Sequence, residues 1–211
     1  MRYKRVVRAS PWIVPCLPVR RNKRPVGADR VQVQFDGRRI ELRKPRRGEG
    51  FSPTGHALTH RFPAVLAAIT PLPAQSAIID GELAACHERR RSDFRALHLR
   101  DWHDDGLCVR AFDLLHIYGV DLGPALLAER KVALEKLVYR TRQPRLRPSA
   151  TSADGLKFLN SCEPMGLQWT VGKRRGFPFR SGGADWIKVK RLNWREAIRD
   201  RGELFNRKCR R

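Results

Sequence analysis

Lys188 and Lys190 close the stretch Ser181-Gly182-Gly183-Ala184-Asp185-Trp186-Ile187-Lys188-Val189-Lys190, in which a glycine turn leads into a short apolar strand. Residues two apart on a strand face the same side, so the two ammonium groups point together while Ile187 and Val189 pack behind them. Paired cations at that spacing grip phosphate. In a chain this basic, a Lys-x-Lys taken alone is the mark of a solvated strand face. Two further segments carry chemistry-bearing groups on apolar strands. Ala77-Ile78-Ile79-Asp80-Gly81-Glu82-Leu83 ends near a carboxylate, and Val109-Arg110-Ala111-Phe112-Asp113-Leu114-Leu115 carries an aromatic and continues to Tyr118-Gly119. Read alone, Glu82 is a strand-end carboxylate in a turn, and Phe112 is an aromatic in an apolar strand, which is more often core than contact.

The elements that must position these groups follow from periodicity. Residues 1–29 mix basic residues with Pro11, Pro15, Pro18 and Pro25 and show no helical or strand period, which predicts an extended basic arm. From Arg30 the pattern changes: Val31, Val33 and Phe35 alternate, Asp36-Gly37 is a tight-turn pair, and Ile40 and Leu42 continue the alternation, predicting a hairpin. Residues 44–58, rich in Gly, Pro, Ser and Arg, read as a long surface loop. Residues 62–69 predict a short helix stopped by Pro71 and Pro73. Strands are expected to end near Cys86, to span residues 107–115 and to span residues 185–190. Helices are expected over 94–99, 126–138 and 153–162, the second from Leu127, Val132, Leu134, Leu137 and Val138 with charges between them. The last residues, 191–211, form a basic tail. Separate antiparallel strands with flanking helices make an α+β domain.

Composition bounds the partners. The 211 residues hold 44 Lys and Arg against 21 Asp and Glu, a formal charge of +23, far beyond what solubility requires and suited to a polyanion such as DNA. Arginine dominates, and its planar fork matches phosphate oxygens. Hydrophobic residues make up 41% of the chain, ordinary for a globular core. Cys16, Cys86, Cys108, Cys162 and Cys209 are scattered with no Cys-x-x-Cys pair, which predicts reduced thiols in a cytoplasmic, nucleoid-associated setting rather than a zinc site. His56 and His60, and His98 and His103, lack the cysteines or carboxylates that would complete a metal site. No apolar run has membrane-span length, and the arginine-rich start lacks a signal peptide's hydrophobic core.

In order and spacing, the segments around Glu82 and Phe112 resemble motifs III and IIIa of the ATP-dependent DNA ligases, and Trp186 to Lys190 resembles motif V. The match is closest to bacterial ligases that act with Ku in end joining. Pro11-Trp12-Ile13, Pro15-Cys16-Leu17-Pro18, Thr59-His60-Arg61-Phe62-Pro63 and Trp194-Arg195-Glu196 are similar to that family as well. The resemblance implies the covalent nucleotidyltransferase fold over residues 30–190, ATP and Mg²⁺ as cofactors, and DNA with Ku or other end-joining proteins as partners. By the same resemblance Glu82 faces the nucleotide and helps hold metal, Phe112 stacks on adenine, Arg30 supports the nucleotide at the end of motif I, and Lys173, Lys188 and Lys190 neutralise phosphate charge. The family continues into an oligonucleotide-binding barrel, and none is expected within this length.

Two motifs depart from the family. Its ligases carry Lys-x-Asp-Gly-x-Arg, whose lysine attacks the α-phosphate of ATP. This chain instead passes from Arg24-Pro25-Val26-Gly27-Ala28-Asp29 directly to Arg30, so a strand's worth of residues is missing together with the nucleophile. The nearest lysine is Lys23, in a proline-flanked arm, a weak substitute. Loss of a strand should leave its neighbours with unpaired edges. After Met165-Gly166-Leu167 the family's Glu-Gly-x-Val-x-Lys reads Gln168-Trp169-Thr170-Val171-Gly172-Lys173, so Gln168 replaces a metal-binding carboxylate with a neutral amide oxygen. The readings that follow are a DNA ligase adenylation domain with an impaired lysyl-AMP step or, alternatively, a non-catalytic descendant that binds DNA or a repair protein.

Overall fold

Apolar runs of strand length, separated by Gly-, Pro- and Arg-rich stretches, fold into two sheets and two helices among the described residues. The computed structural model describes residues 12–21, 30–34, 37–44, 48–85, 106–152 and 169–190. In chain order the strands are β1 (Pro18–Arg21), β2 (Arg30–Gln34), β3 (Arg38–Lys44), β4 (Glu49–Phe51), β5 (Ala77–Ala85), β6 (Leu107–Ile117), β7 (Val120–Asp121), β8 (Leu146–Pro148), β9 (Thr151–Ser152), β10 (Trp169–Lys173) and β11 (Trp186–Lys190). The helices are α1 (Pro63–Ala67) and α2 (Leu127–Tyr139). One sheet has the order β1-β11-β10-β2-β9 and the other β4-β3-β5-β6-β7, with β8 also paired to β6. Most pairs are antiparallel, and β1 with β11 and β6 with β8 are parallel. The architecture is α+β, as expected.

The main core lies where α1 and α2 cover one face of the second sheet. Ile40 and Leu42 of β3, Ile79 and Leu83 of β5, and Val109, Ala111 and Leu114 of β6 pack there with Val65 and Leu66 of α1 and Leu134, Leu137 and Val138 of α2. The first turn of α2 has no side-chain oxygen at its N-cap, Leu126. Its orphan N–H groups are satisfied from the loop between β10 and β11: Leu127 N donates to Phe177 O at 3.0 Å and Ala128 N to Arg175 O at 3.2 Å. Glu129 reaches back to accept from Leu126 N at 3.1 Å. The helix thereby fixes the loop that precedes the Lys188 strand.

β6 carries a bulge where the site begins. Gly81 pairs with Ala111 and Asp80 with Asp113, which leaves Phe112 as the extra residue. A bulge re-aims its side chain, and Phe112 leaves the main core to join Cys16, Val171 and Trp186 in a second cluster facing the first sheet. Gly81 is required opposite it, since a Cβ there would lie 2.6 Å from Val109 Cγ1.

Several expectations are corrected. The predicted hairpin does not form, because β2 pairs with β10 and β9 while β3 pairs with β4 and β5. Alternation sets which face of a strand is apolar, not which strand it pairs with, and both runs find longer-range partners. Gly37 serves a close approach: a Cβ on it would lie 2.2 Å from Leu83 O. Part of the arm assigned to residues 1–29 is built into the fold. β1 lies parallel to β11, Leu17 N donates to Gly183 O at 2.8 Å, Gly182 N donates to Val14 O at 3.2 Å, and Ile13 N donates to Glu41 Oε2 at 2.9 Å. The unpaired edges expected beside the missing stretch are not found at β2, held between β10 and β9, or at β11, held between β1 and β10. The 44–58 loop contains β4. Cys108 is disulfide-bonded while Cys16 is free and buried, so the thiols are not uniformly reduced. The helices expected over 94–99 and 153–162 and the tail 191–211 lie outside the described residues. No described helix is long and apolar enough to cross a membrane.

Candidate functional site

The two sheets pack against each other through side chains from β3 and β6 on one side and β10 and β11 on the other. Strand register puts the lysines of the first sheet on one side. Val171 lies opposite Lys188 and Trp169 opposite Lys190, and Lys173 is two residues on from Val171, so the pleat gives Lys173, Trp186, Lys188 and Lys190 a common face. Arg30 stands opposite Lys173, and Arg20 of β1 stands opposite Lys188. Thus the expected phosphate-binding positions 30, 173, 188 and 190 share one sheet face. Lys23 and Gln168 lie outside the described residues.

From the other sheet, Phe112 meets Trp186 edge-on, with ring centroids 5.8 Å apart and planes at 85°. Phe179 makes a second edge contact with Trp186 at 6.4 Å. Two cations enter this aromatic group. Lys173 Nζ lies 3.6 Å from the Trp186 centroid and 4.2 Å from that of Phe112. The Arg39 guanidinium carbon lies 5.0 Å and 5.4 Å from the same rings. Both placements suit cation–π attraction.

The two cations differ in how they are held. The Arg39 fork donates to both oxygens of Asp80, at 2.9 and 2.5 Å, and to Cys16 O at 2.5 Å. Burial works against the Arg39 charge, and the Asp80 carboxylate outweighs it, leaving the guanidinium pKa raised. Beside it, Arg130 of α2 donates Nε to Asp113 Oδ1 at 2.8 Å and Nη2 to Asp113 Oδ2 at 3.0 Å, with both side chains fully buried. Lys173 is also buried, yet its Nζ has no hydrogen-bond partner among the described residues. Burial first, then the Lys131 charge, holds its pKa well below the usual lysine range; Asp113 and Asp80 oppose this without restoring it.

Glu82 is buried within β5, in register with Arg39 and Arg110, rather than at a strand end. Among the described residues there is no group of three or more His, Cys, Asp or Glu arranged to hold a metal ion. The fit of a purine to Phe112 is poor, because Lys173 and Arg39 take the space around that ring and only 8% of Phe112 is exposed. Sequence reading missed Arg39, Asp80, Asp113, Arg130 and the structural part played by Trp186. Asp80, Asp113 and Trp186 stood inside the motifs as neighbours of the chosen residues. Nothing in the spacing marked Arg39 or Arg130, which are recruited across strands.

Residues 22–190 match the family described as the ATP dependent DNA ligase domain. The multifunctional non-homologous end joining protein LigD of Pseudomonas aeruginosa is 34% identical over 184 residues, covering 85% of this chain and 22% of that protein. A probable DNA ligase of Nocardioides is 34% identical over 175 residues, covering 78% of this chain and 34% of that protein. The chain thus spans between about a fifth and about a third of the length of these curated relatives. Among solved structures, mycobacterial DNA ligase D complexed with ATP and MES superposes with a TM-score of 0.73 at 22% identity, over 84% of this chain and 60% of that one. The ligase domain of Mycobacterium tuberculosis LigD superposes with a TM-score of 0.69 at 21% identity, over 84% and 59%. These superpositions agree with the nucleotidyltransferase fold expected from the motifs, and with the profile and sequence matches they establish that the chain belongs to the ATP-dependent DNA ligase domain family.

Proposed function

We propose that this chain is a DNA-binding domain of a DNA-repair system, derived from the adenylation domain of end-joining ligases, that does not itself form a lysyl-AMP intermediate by the family route. One observation carries the reading: the segment joining β1 to β2 contains no Lys-x-Asp-Gly-x-Arg, and Arg30 opens β2 directly after Asp29. A nucleophilic lysine needs a fixed strand and a neutral amine beside the reacting phosphate. Lys23 has no motif around it to supply either.

DNA affinity is supported by the charge of +23 and by where arginines are exposed. Arg20 and Arg21 lie on the edge strand β1, and Arg174, Arg175 and Arg180 lie in the loop between β10 and β11. The ligase resemblance favours repair of broken DNA inside the cell, alongside Ku or other end-joining proteins. ATP and Mg²⁺ would belong to such partners if sealing occurs.

The test is a pair of assays on the purified full chain. A gel shift with nicked duplex should give binding that weakens steeply with salt, and incubation with Mg²⁺ and ATP labelled on the α-phosphate should give no covalent adduct and no sealed product. An adduct would favour the enzymatic reading instead, with peptide mapping to find its lysine, Lys23 first.

A further inference from the structure

We propose that the C-terminal end of α2 and the turn after it bind unpaired nucleotides at a DNA end, with a base stacked on Tyr139 and phosphates held by Arg140, Arg142 and Arg147. This rests on the DNA-binding reading above and names a second contact, separate from the β1 edge and the β10–β11 loop.

The segment from Lys136 to Arg147 contains five basic residues and no carboxylate. The fold turns most of that charge outward. Helical spacing buries Leu134, Leu137 and Val138 and leaves Lys136, Tyr139 and Arg140 in solvent. Leu146 joins the same core cluster, which sets β8 beside α2, and strand alternation leaves Arg147 exposed. None of Arg140, Arg142 and Arg147 is paired with a carboxylate among the described residues.

Part of this charge has an ordinary cause, since cations in the last turn of a helix offset its dipole. That accounts for Lys136 and Arg140 but not for Arg142 or Tyr139. Arg142 has a φ of 50°, in the left-handed region where glycine is the usual residue. The turn around it is fixed: Thr141 Oγ1 donates to Val138 O at 2.7 Å, and Arg142 N donates to Tyr139 O at 3.3 Å. A charged side chain is therefore held where backbone preference favours none. Tyr139 is 68% exposed, more than any other large hydrophobic residue described. An open ring in an acid-free basic segment suits a ligand that brings both a flat π face and negative charge. Unpaired nucleotides bring both, whereas the bases of a duplex already cover each other's faces.

Placement on the helix supports the same partner. The loop carrying Arg174 and Arg175 caps the N-terminal end of α2 through Arg175 O and Phe177 O. Tyr139 closes the other end, about 18 Å away at ~1.5 Å per residue. That span matches about five nucleotides at ~3.4 Å along one strand. Two carboxylates lie along α2: Glu129 is turned back to accept from Leu126 N, and Glu135 is half-buried. A strand held as duplex at the loop can thus reach Tyr139 as a tail.

Fluorescence anisotropy on the full chain tests this with a blunt duplex, the same duplex carrying a dT tail of about ten nucleotides, and the dT oligonucleotide alone. Wild type should bind the tailed duplex at least about fivefold more tightly than the blunt one. Tyr139→Ala should abolish that gain and Tyr139→Trp should keep it, a contrast that a change in charge does not produce. Tyr139→Leu, a strong helix former, repeats the test if the alanine variant does not fold. Equal affinity of wild type for the tailed and blunt probes overturns the proposal, as does a gain that survives loss of the ring. The dT oligonucleotide keeps the two readings separate. If wild type binds it in a Tyr139-dependent way but does not bind the blunt duplex, the duplex-binding reading falls and this inference stands. If wild type binds the duplex but neither the oligonucleotide nor the tail, this inference falls alone.

Discussion

At the scale of single residues, the chemistry between the two sheets is set by which charges are paired. Arg39 and Arg130 are both paired in the interior, each fork meeting a carboxylate on two points. Lys173 has no such partner among the described residues, and burial lowers its pKa well below the usual lysine value. The sign of the consequence follows from linkage. Between the folded-state value and the unfolded lysine's ~10.4, the unfolded chain binds the proton and the folded chain does not, so stability rises with pH across that window and is lost as pH falls toward the folded-state value. The slope from this one group is at most about 1.4 kcal/mol per pH unit. Lys173→Met removes it. Urea unfolding of both proteins over a series of pH values below ~10.4 should therefore show the variant gaining relative stability as pH falls, with the difference shrinking as pH rises toward ~10.4; a difference constant across the whole series overturns the assignment. Glu41 is the opposite case, since burial raises its pKa despite the pairing with Arg43 and the Ile13 N–H. The positions of Glu82, Phe112, Lys173 and Lys188 were legible because each stands at a fixed place in a short motif. The state of Lys173 was not, because it depends on Arg39, Lys131, Asp80 and Asp113 brought in from other elements.

At the scale of elements, local pattern was a good guide to what forms and a poor guide to what pairs. The helix expected over 126–138 and the strand expected over 185–190 appear within a residue or so of their predicted ends, since 3.6 and 2 residue periods are properties of the segment itself. The hairpin expectation failed because β2 and β3 belong to two different sheets. The edge strand β1 was invisible, being four residues long, rich in Arg and headed by Pro18, which an edge position tolerates. The bulge at Phe112 could not be read either, as it exists only in the register between β5 and β6. It makes a sharp prediction. A methyl group added at Gly81 meets Val109 Cγ1 at 2.6 Å and Arg110 O at 3.2 Å in the middle of a paired strand, where backbone cannot give way without losing register. Gly81→Ala should cost about 1–3 kcal/mol by denaturant unfolding, the usual range for overpacking. It should also disturb the Phe112–Trp186 contact, seen as a change in tryptophan fluorescence; an unchanged midpoint and spectrum would show that the bulge does not need its glycine.

At the scale of the whole molecule, charge and architecture point the same way. The pairing of α2 with the β10–β11 loop, through Phe177 O and Arg175 O, holds exposed arginines on a rigid support rather than on a free strand end. A phosphate backbone reaching that surface would meet Arg174 and Arg175 at the loop and Arg20 and Arg21 on the edge of the same sheet. Binding of this kind is driven by counterion release, so its salt dependence counts the phosphates engaged. Replacing Arg174 and Arg175 together by alanine should weaken binding to nicked and intact duplex alike and lower the slope of log K against log salt by about 2, roughly 1 for each lost phosphate contact. The same double change should leave unfolding nearly unaltered, because both side chains are exposed and the helix is capped by backbone carbonyls that alanine retains. Fluorescence anisotropy across a salt series measures the slope directly. An unchanged slope would move the DNA-binding surface off this loop, while a loss confined to nicked DNA would show that the loop reads the break itself rather than the backbone.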